Sequence, residues 1–98
     1  MSIQTTERVW QFSRTRGNEL LVLLALADGA DEWGVAHFRD ELLASRCRVS
    51  LVELREILTR LEREGEIIRR GNRLVITAGL SREEAERGLH RWEVRDER

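Results

Sequence analysis

The chain has no lysine, no proline and no tyrosine, and a single cysteine among its 98 residues. One thiol, Cys47, cannot close an internal disulfide, so the chain reads as intracellular and cytoplasmic. Long apolar runs are also missing. The longest, Leu20 to Ala27, is too short to span a bilayer, and no membrane partner is expected. The segment Met1 to Glu7 lacks the basic and apolar regions of a signal peptide. His37, Cys47 and His90 are too dispersed for metal-ligand spacing, and there is no CxxC or HxxxH, so no metal or other cofactor is expected. No Ser/His/Asp arrangement, glycine-rich phosphate loop or paired-carboxylate motif points to an enzyme. The length supports one domain, and 41% hydrophobic residues argue against disorder despite 36% charged ones.

What the chain does have is arginine. All 17 cations are arginine, set against 18 acids, for a formal net charge of −1. That total argues against a nucleic-acid partner until it is divided along the chain. Residues 45–73 hold Arg46, Arg48, Arg55, Arg60, Arg63, Arg69, Arg70 and Arg73 against Glu53, Glu56, Glu62, Glu64 and Glu66, a balance of +3. Residues 1–44 carry −3 and residues 74–98 carry −1. A lysine-poor composition explains the type of cation, but not its clustering. Arginine also suits phosphate and guanine geometry better than lysine does.

The order of elements follows from periodicity and punctuation. Residues 1–18 form an N-terminal arm or short strand packing Trp10 inward. The stretch from Asn18 to Ala27 is apolar on all sides and rich in Leu and Ala, which predicts a buried helix ended by Asp28-Gly29. Val35, Phe38 and Leu42, with Leu43 beside them, predict one face of a short helix over 35–44. The stretch from Ser45 to Val49 breaks that pattern. Ser50-Leu51-Val52-Glu53 is a capping box in which the serine hydroxyl and Glu53 satisfy each other's backbone amides. Leu54, Ile57, Leu58 and Leu61 then share one face, and Gly65 stops the helix. Residues 66–77 read as a hairpin turning at Gly71-Asn72, with positive φ expected at both. Ser81-Arg82-Glu83-Glu84 is a second box, opening a last helix with Ala85, Leu89 and Trp92 as its stripe.

Leu21-Val22-Leu23-Leu24-Ala25-Leu26-Ala27-Asp28, the spacing from Leu43-Ala44 to Val49-Ser50, and the exit Leu61-Glu62-Arg63-Glu64-Gly65-Glu66-Ile67 carry a resemblance. Across residues 20–77 the chain resembles winged helix-turn-helix DNA-binding proteins, closest to small helix-turn-helix regulators of actinobacteria and their phages. The implied fold class is mainly α with a small β-hairpin: a three-helix core plus wing over 19–78, with an extra C-terminal helix over 79–98. The resemblance implies sequence-specific binding of double-stranded DNA in transcription regulation, in the cytoplasm at the nucleoid, without catalysis or cofactor. Residues 50–64 are then the recognition helix in the major groove. Residues 66–77 are the wing on the backbone, with phosphate contacts from Arg69, Arg70, Asn72 and Arg73. The chain departs from the pattern at Arg48, where many relatives use glycine.

At about 100° per residue, the stripe opposite the apolar face is Val52, Glu56, Thr59 and Arg63, flanked by Arg55 and Arg60. Val52 and Thr59 suit thymine methyls, Arg55 suits guanine, and Glu56 suits cytosine while repelling phosphate. Ser50 begins this helix, and Arg46 and Arg48 lie in the turn before it. On the surface, Arg60, Arg63 and Arg69 are candidates to pair with Glu56, Glu64 and Glu66. The arginines beside Cys47 favour its thiolate, although a small residue in a tight turn accounts for it without a redox role. Two-fold dimers commonly read DNA half-sites, so a homodimer is expected through Trp10, Ala85, Leu89 and Trp92. Two other readings stay open. One is a winged-helix protein-interaction module with a protein partner, motivated by Glu53 and Glu56. The other is a replication or partition accessory of a phage or mobile element.

Overall fold

The computed structural model describes residues 3–96, with side chains through Arg91. In chain order the elements are α1 (Ile3–Phe12), α2 (Gly17–Asp28), β1 (Val35–His37), α3 (Asp40–Cys47), α4 (Leu51–Arg63), β2 (Ile67–Arg70), β3 (Arg73–Ile76) and α5 (Arg82–Asp96). The described residues are therefore mainly helical, with a small antiparallel sheet of strand order β1-β3-β2. The arrangement is compatible with a winged-helix-like fold. No helix among them is long and apolar enough to cross a membrane.

The core forms where the apolar stripes converge. Leu54, Ile57, Leu58 and Leu61 of α4 are fully buried, and each contributes about 2 kcal/mol by leaving water. They pack with Val22, Leu23, Leu26 and Ala27 of α2, with Leu43 and Ala44 of α3, and with Ile67, Leu74 and Ile76 of the sheet. Strand alternation sends the neighbouring residues to the opposite face, where Val35 and Val75 meet Ala85 and Leu89 of α5. The sheet is thus a middle layer between the helical core and α5. Gly88 lets α5 approach closely, since a β-carbon there would lie 3.4 Å from both Trp33 Cβ and Val35 Cγ2.

The structure corrects the expected architecture at the N-terminus and in the middle, and the expected role of two residues in the last helix. Residues 3–12 form helix α1 instead of an arm or strand, with Thr5 and Val9 turned inward and Trp10 60% exposed. A polar Thr5 in the buried stripe hides the helical period from a hydrophobicity reading; its hydroxyl donates to the Asp31 carbonyl at 3.5 Å. Residues 35–44 are not one helix. Val35–His37 pair with Arg73–Val75 of β3, the helix begins only at Asp40, and Leu42 is exposed. The partner strand, not local spacing, decides the state of Val35. At the last helix, Ala85 and Leu89 are buried against the chain's own sheet, so they cannot form a dimer surface. The Trp92 side chain lies outside the described residues.

Candidate functional site

Helix α4 is held at both ends by hydrogen-bonded caps. Ser50 Oγ accepts from the Glu53 amide at 3.0 Å, as its sequence predicts. Glu53 does not close the box. Its carboxylate instead accepts from Asn18 Nδ2 at 3.2 Å, tying α4 to the start of α2. At the other end the Gly65 amide donates to Glu62 and the Glu66 amide to Leu61, with Gly65 at φ +78°. These are the paired bonds of a glycine-terminated helix.

The connection into α4 repeats that geometry without glycine. Arg48 sits in the left-handed region (φ 60°, ψ 42°), its amide donates to Ser45, and the Val49 amide donates to Ala44. Left-handed backbone disfavours a β-carbon by about 1–2 kcal/mol. The turn between α3 and α4 is consequently tight, and it is strained at Arg48. Cys47, just before it, is buried, and burial pushes its thiol above the ordinary range, outweighing the opposing charge of Arg46. This corrects the expectation that the flanking arginines favour its thiolate.

With one face of α4 buried, the opposite face stays uncovered. Val52 is 69% exposed, and Glu56, Thr59 and Arg63 are exposed along the same stripe. These residues, with Arg55 and Arg60, line a shallow groove of about 450 Å³. The flanking arginines are drawn sideways. Arg55 Nε lies 3.2 Å from Asp40 Oδ2 at the start of α3, and Arg60 Nε lies 3.3 Å from Glu19 Oε2 of α2. Arg60 therefore pairs across helices and not with Glu56 as its spacing suggests. Arg46 approaches Asp28 more loosely, at 3.9 Å. Such exposed pairs each contribute about 0–1 kcal/mol, so a competing anion can displace them. Thr59 Oγ1 donates to the Arg55 carbonyl at 2.9 Å.

The hairpin end of the sheet carries three further arginines, Arg69, Arg70 and Arg73. Arg70 stands directly opposite Arg73, and Arg73 directly opposite His37 of β1, giving a row across three strands on one sheet face. The two like charges of Arg70 and Arg73, placed opposite each other, disfavour the sheet. Arg69 lies on the other face, its guanidinium 5.8 Å from the centre of the Phe38 ring. The Phe38 amide donates to the Asn72 carbonyl at 3.3 Å, joining β1 to the turn. Only Gly71 takes positive φ in that turn; Asn72 does not, contrary to expectation.

The structure thus places Val52, Glu56, Thr59 and Arg63 together on the outside of α4, and Arg70 and Arg73 together on the hairpin. Ser50 serves as a cap, Arg46 lies in the last turn of α3, and Arg48 is the left-handed residue of the turn itself. His37 in β1 and Phe38 just after it reach the hairpin only because Val35–His37 pairs with β3, which their local spacing does not reveal. Among the described residues, no group of three or more His, Cys, Asp or Glu side chains could hold a metal ion. No family model, curated protein or solved structure matches the chain.

Proposed function

We propose that the chain is a winged helix-turn-helix protein that binds double-stranded DNA sequence-specifically. It acts as a transcription regulator of a bacterium or of a phage or mobile element. In this reading α4 enters the major groove and the β2–β3 hairpin rests on the backbone. One observation carries it: α3 passes through a tight turn into a helix whose outer stripe is covered by no other element among the described residues. A single helix with an open face fits the width of the major groove. The cations at the hairpin support the reading, because phosphate contacts provide most of the sequence-independent affinity.

The proposal includes a homodimer, since a domain of this size covers one half-site. With Ala85 and Leu89 engaged internally, its surface falls to α1, where Ile3, Trp10 and Phe12 stand exposed. Light scattering at micromolar concentration is expected to give twice 11.5 kDa; a single monomeric species contradicts it.

The test of DNA binding is fluorescence anisotropy with random-sequence duplex across a salt series. Affinity is expected to fall steeply with salt, and Arg70→Ala with Arg73→Ala to lower the log–log slope by about 2. No binding at low salt by a folded protein overturns the reading. A second reading, a protein-interaction module, is favoured by one observation. Arg55 and Arg60 are engaged by acids while Glu56 occupies the centre of the open stripe.

A further inference from the structure

The outer stripe of α4 is unusual in what it leaves available. Arg55 is held by Asp40 and Arg60 by Glu19, so both guanidiniums at the sides of the groove are already engaged. Thr59 has turned its hydroxyl back onto the Arg55 carbonyl, and its methyl is the group left for an incoming surface. Val52 presents two methyls at 69% exposure. Between these residues stands the exposed carboxylate of Glu56. From Val52 to Thr59 the stripe reads apolar, anionic, apolar, with Arg63 only at its C-terminal end, and that stretch is poorly suited to phosphate or to guanine O6 and N7, which are all acceptors. It is suited to the two other features of the major groove: the thymine methyl and the exocyclic amine of cytosine.

We propose that α4 reads two thymine methyls, one through Val52 and one through Thr59, with Glu56 accepting from a cytosine N4 amine between them. This inference rests on the DNA-binding reading and deepens it. Seven residues along a helix amount to about 10.5 Å at 1.5 Å per residue, and they return to nearly the same angular position. With base pairs about 3.4 Å apart, the two methyls fall about three steps from each other when α4 lies along the groove. Glu56, four residues after Val52, falls between them. The arginines then act at the edges, where release from Asp40 and Glu19 lets them meet phosphates. Sequence choice comes from methyls and one carboxylate, and affinity comes from the periphery.

The experiment begins with selection of a duplex from a random library, followed by anisotropy on synthetic variants of the selected site. Deoxyuridine differs from thymidine by the methyl alone. Replacing either contacted thymidine by deoxyuridine is expected to weaken binding about fourfold, the equivalent of one buried methyl. Val52→Ser is expected to abolish sensitivity at one thymidine, and Thr59→Ser at the other; both residues are exposed, so neither change threatens the fold. Thr59→Val keeps a methyl and is expected to retain the sensitivity that Thr59→Ser loses. Glu56→Gln is expected to shift the intermediate preference from cytosine to adenine, which Gln contacts bidentately. A selected site whose affinity stays within twofold under every deoxyuridine replacement overturns the methyl reading and leaves DNA binding standing. Absence of any duplex binding at low salt overturns both.

Discussion

Helices α4 and α5 both begin with a Ser-x-x-Glu box, yet the two boxes and the two helices serve different ends. At α5 the box closes: the Ser81 amide donates to Glu84 at 3.0 Å, and Ser81 Oγ accepts from the Glu84 amide at 3.1 Å. At α4 only the serine half forms, and Glu53 reaches across to Asn18. Helix α5 buries small residues, Ala85 and Gly88 with Leu89, and lies flat on the sheet. Helix α4 buries four large aliphatic side chains and leaves a full stripe open. A helix anchored deeply on one side and tied to its neighbours at its N-terminus can present its outer face rigidly. That is the requirement for reading a surface; the outer face of α5 is exposed too, but it is charged and laced by the ion pairs Arg82–Glu86 and Glu83–Arg87 instead of presenting methyl groups.

Substitutions on α4 break or sharpen this contrast most strongly. Leu58→Ala, at a fully buried position, is expected to lower unfolding free energy by about 2–5 kcal/mol in chemical denaturation. Val52→Ala, six residues earlier on the open face, is expected to change it by less than about 0.5 kcal/mol. Equal effects would mean that the open face is covered in solution. Next in size, Ser50→Ala and Ser81→Ala are each expected to cost about 1 kcal/mol, since each removes an accepted amide bond. Arg48→Gly relieves left-handed backbone in the α3–α4 turn and is expected to raise stability by up to about 1 kcal/mol. A loss instead would show that the Arg48 side chain holds the turn.

The smallest effects distinguish the helices by the sign of their pH dependence. Hydrogen bonds from the Ser81 backbone and hydroxyl hold Glu84 below the usual carboxylate range. Its contribution is present above the unfolded-state value and is lost as pH falls through the depressed folded one. At the end of α4, Glu64 is pushed up, chiefly by a hydrogen bond shared with Glu19, then by desolvation and by the charges of Glu19 and Glu66. That contribution is complete at low pH and is lost as pH rises through the raised folded value. Thermal midpoints between about pH 3 and 7 are expected to respond oppositely to Glu84→Gln and Glu64→Gln. Responses of the same sign would contradict these assignments.

The inner face of α4, its serine cap, its glycine stop and the hairpin were legible because each depends on residues a few positions apart. The rest depends on distant partners. Val35–His37 becomes a strand only beside β3, so the spacing of Val35, Phe38 and Leu42 imitates a helix. Arg55 and Arg60 look available from α4 alone, but their acids lie on α3 and α2. Ala85 and Leu89 look like a dimer stripe until the sheet beneath them is known. The open stripe of the site was therefore readable by angle, whereas the restraint on its arginines and the recruitment of His37 were not.

The most direct measurement is amide chemical-shift mapping of the protein titrated with short duplex DNA at low salt. Perturbation is expected along α4 from Leu51 to Arg63, through the α3–α4 turn and at the hairpin around Gly71, with the buried side of α5 unchanged. Shifts confined to α1 and α5, or none by a folded protein under those conditions, would contradict the DNA-binding reading.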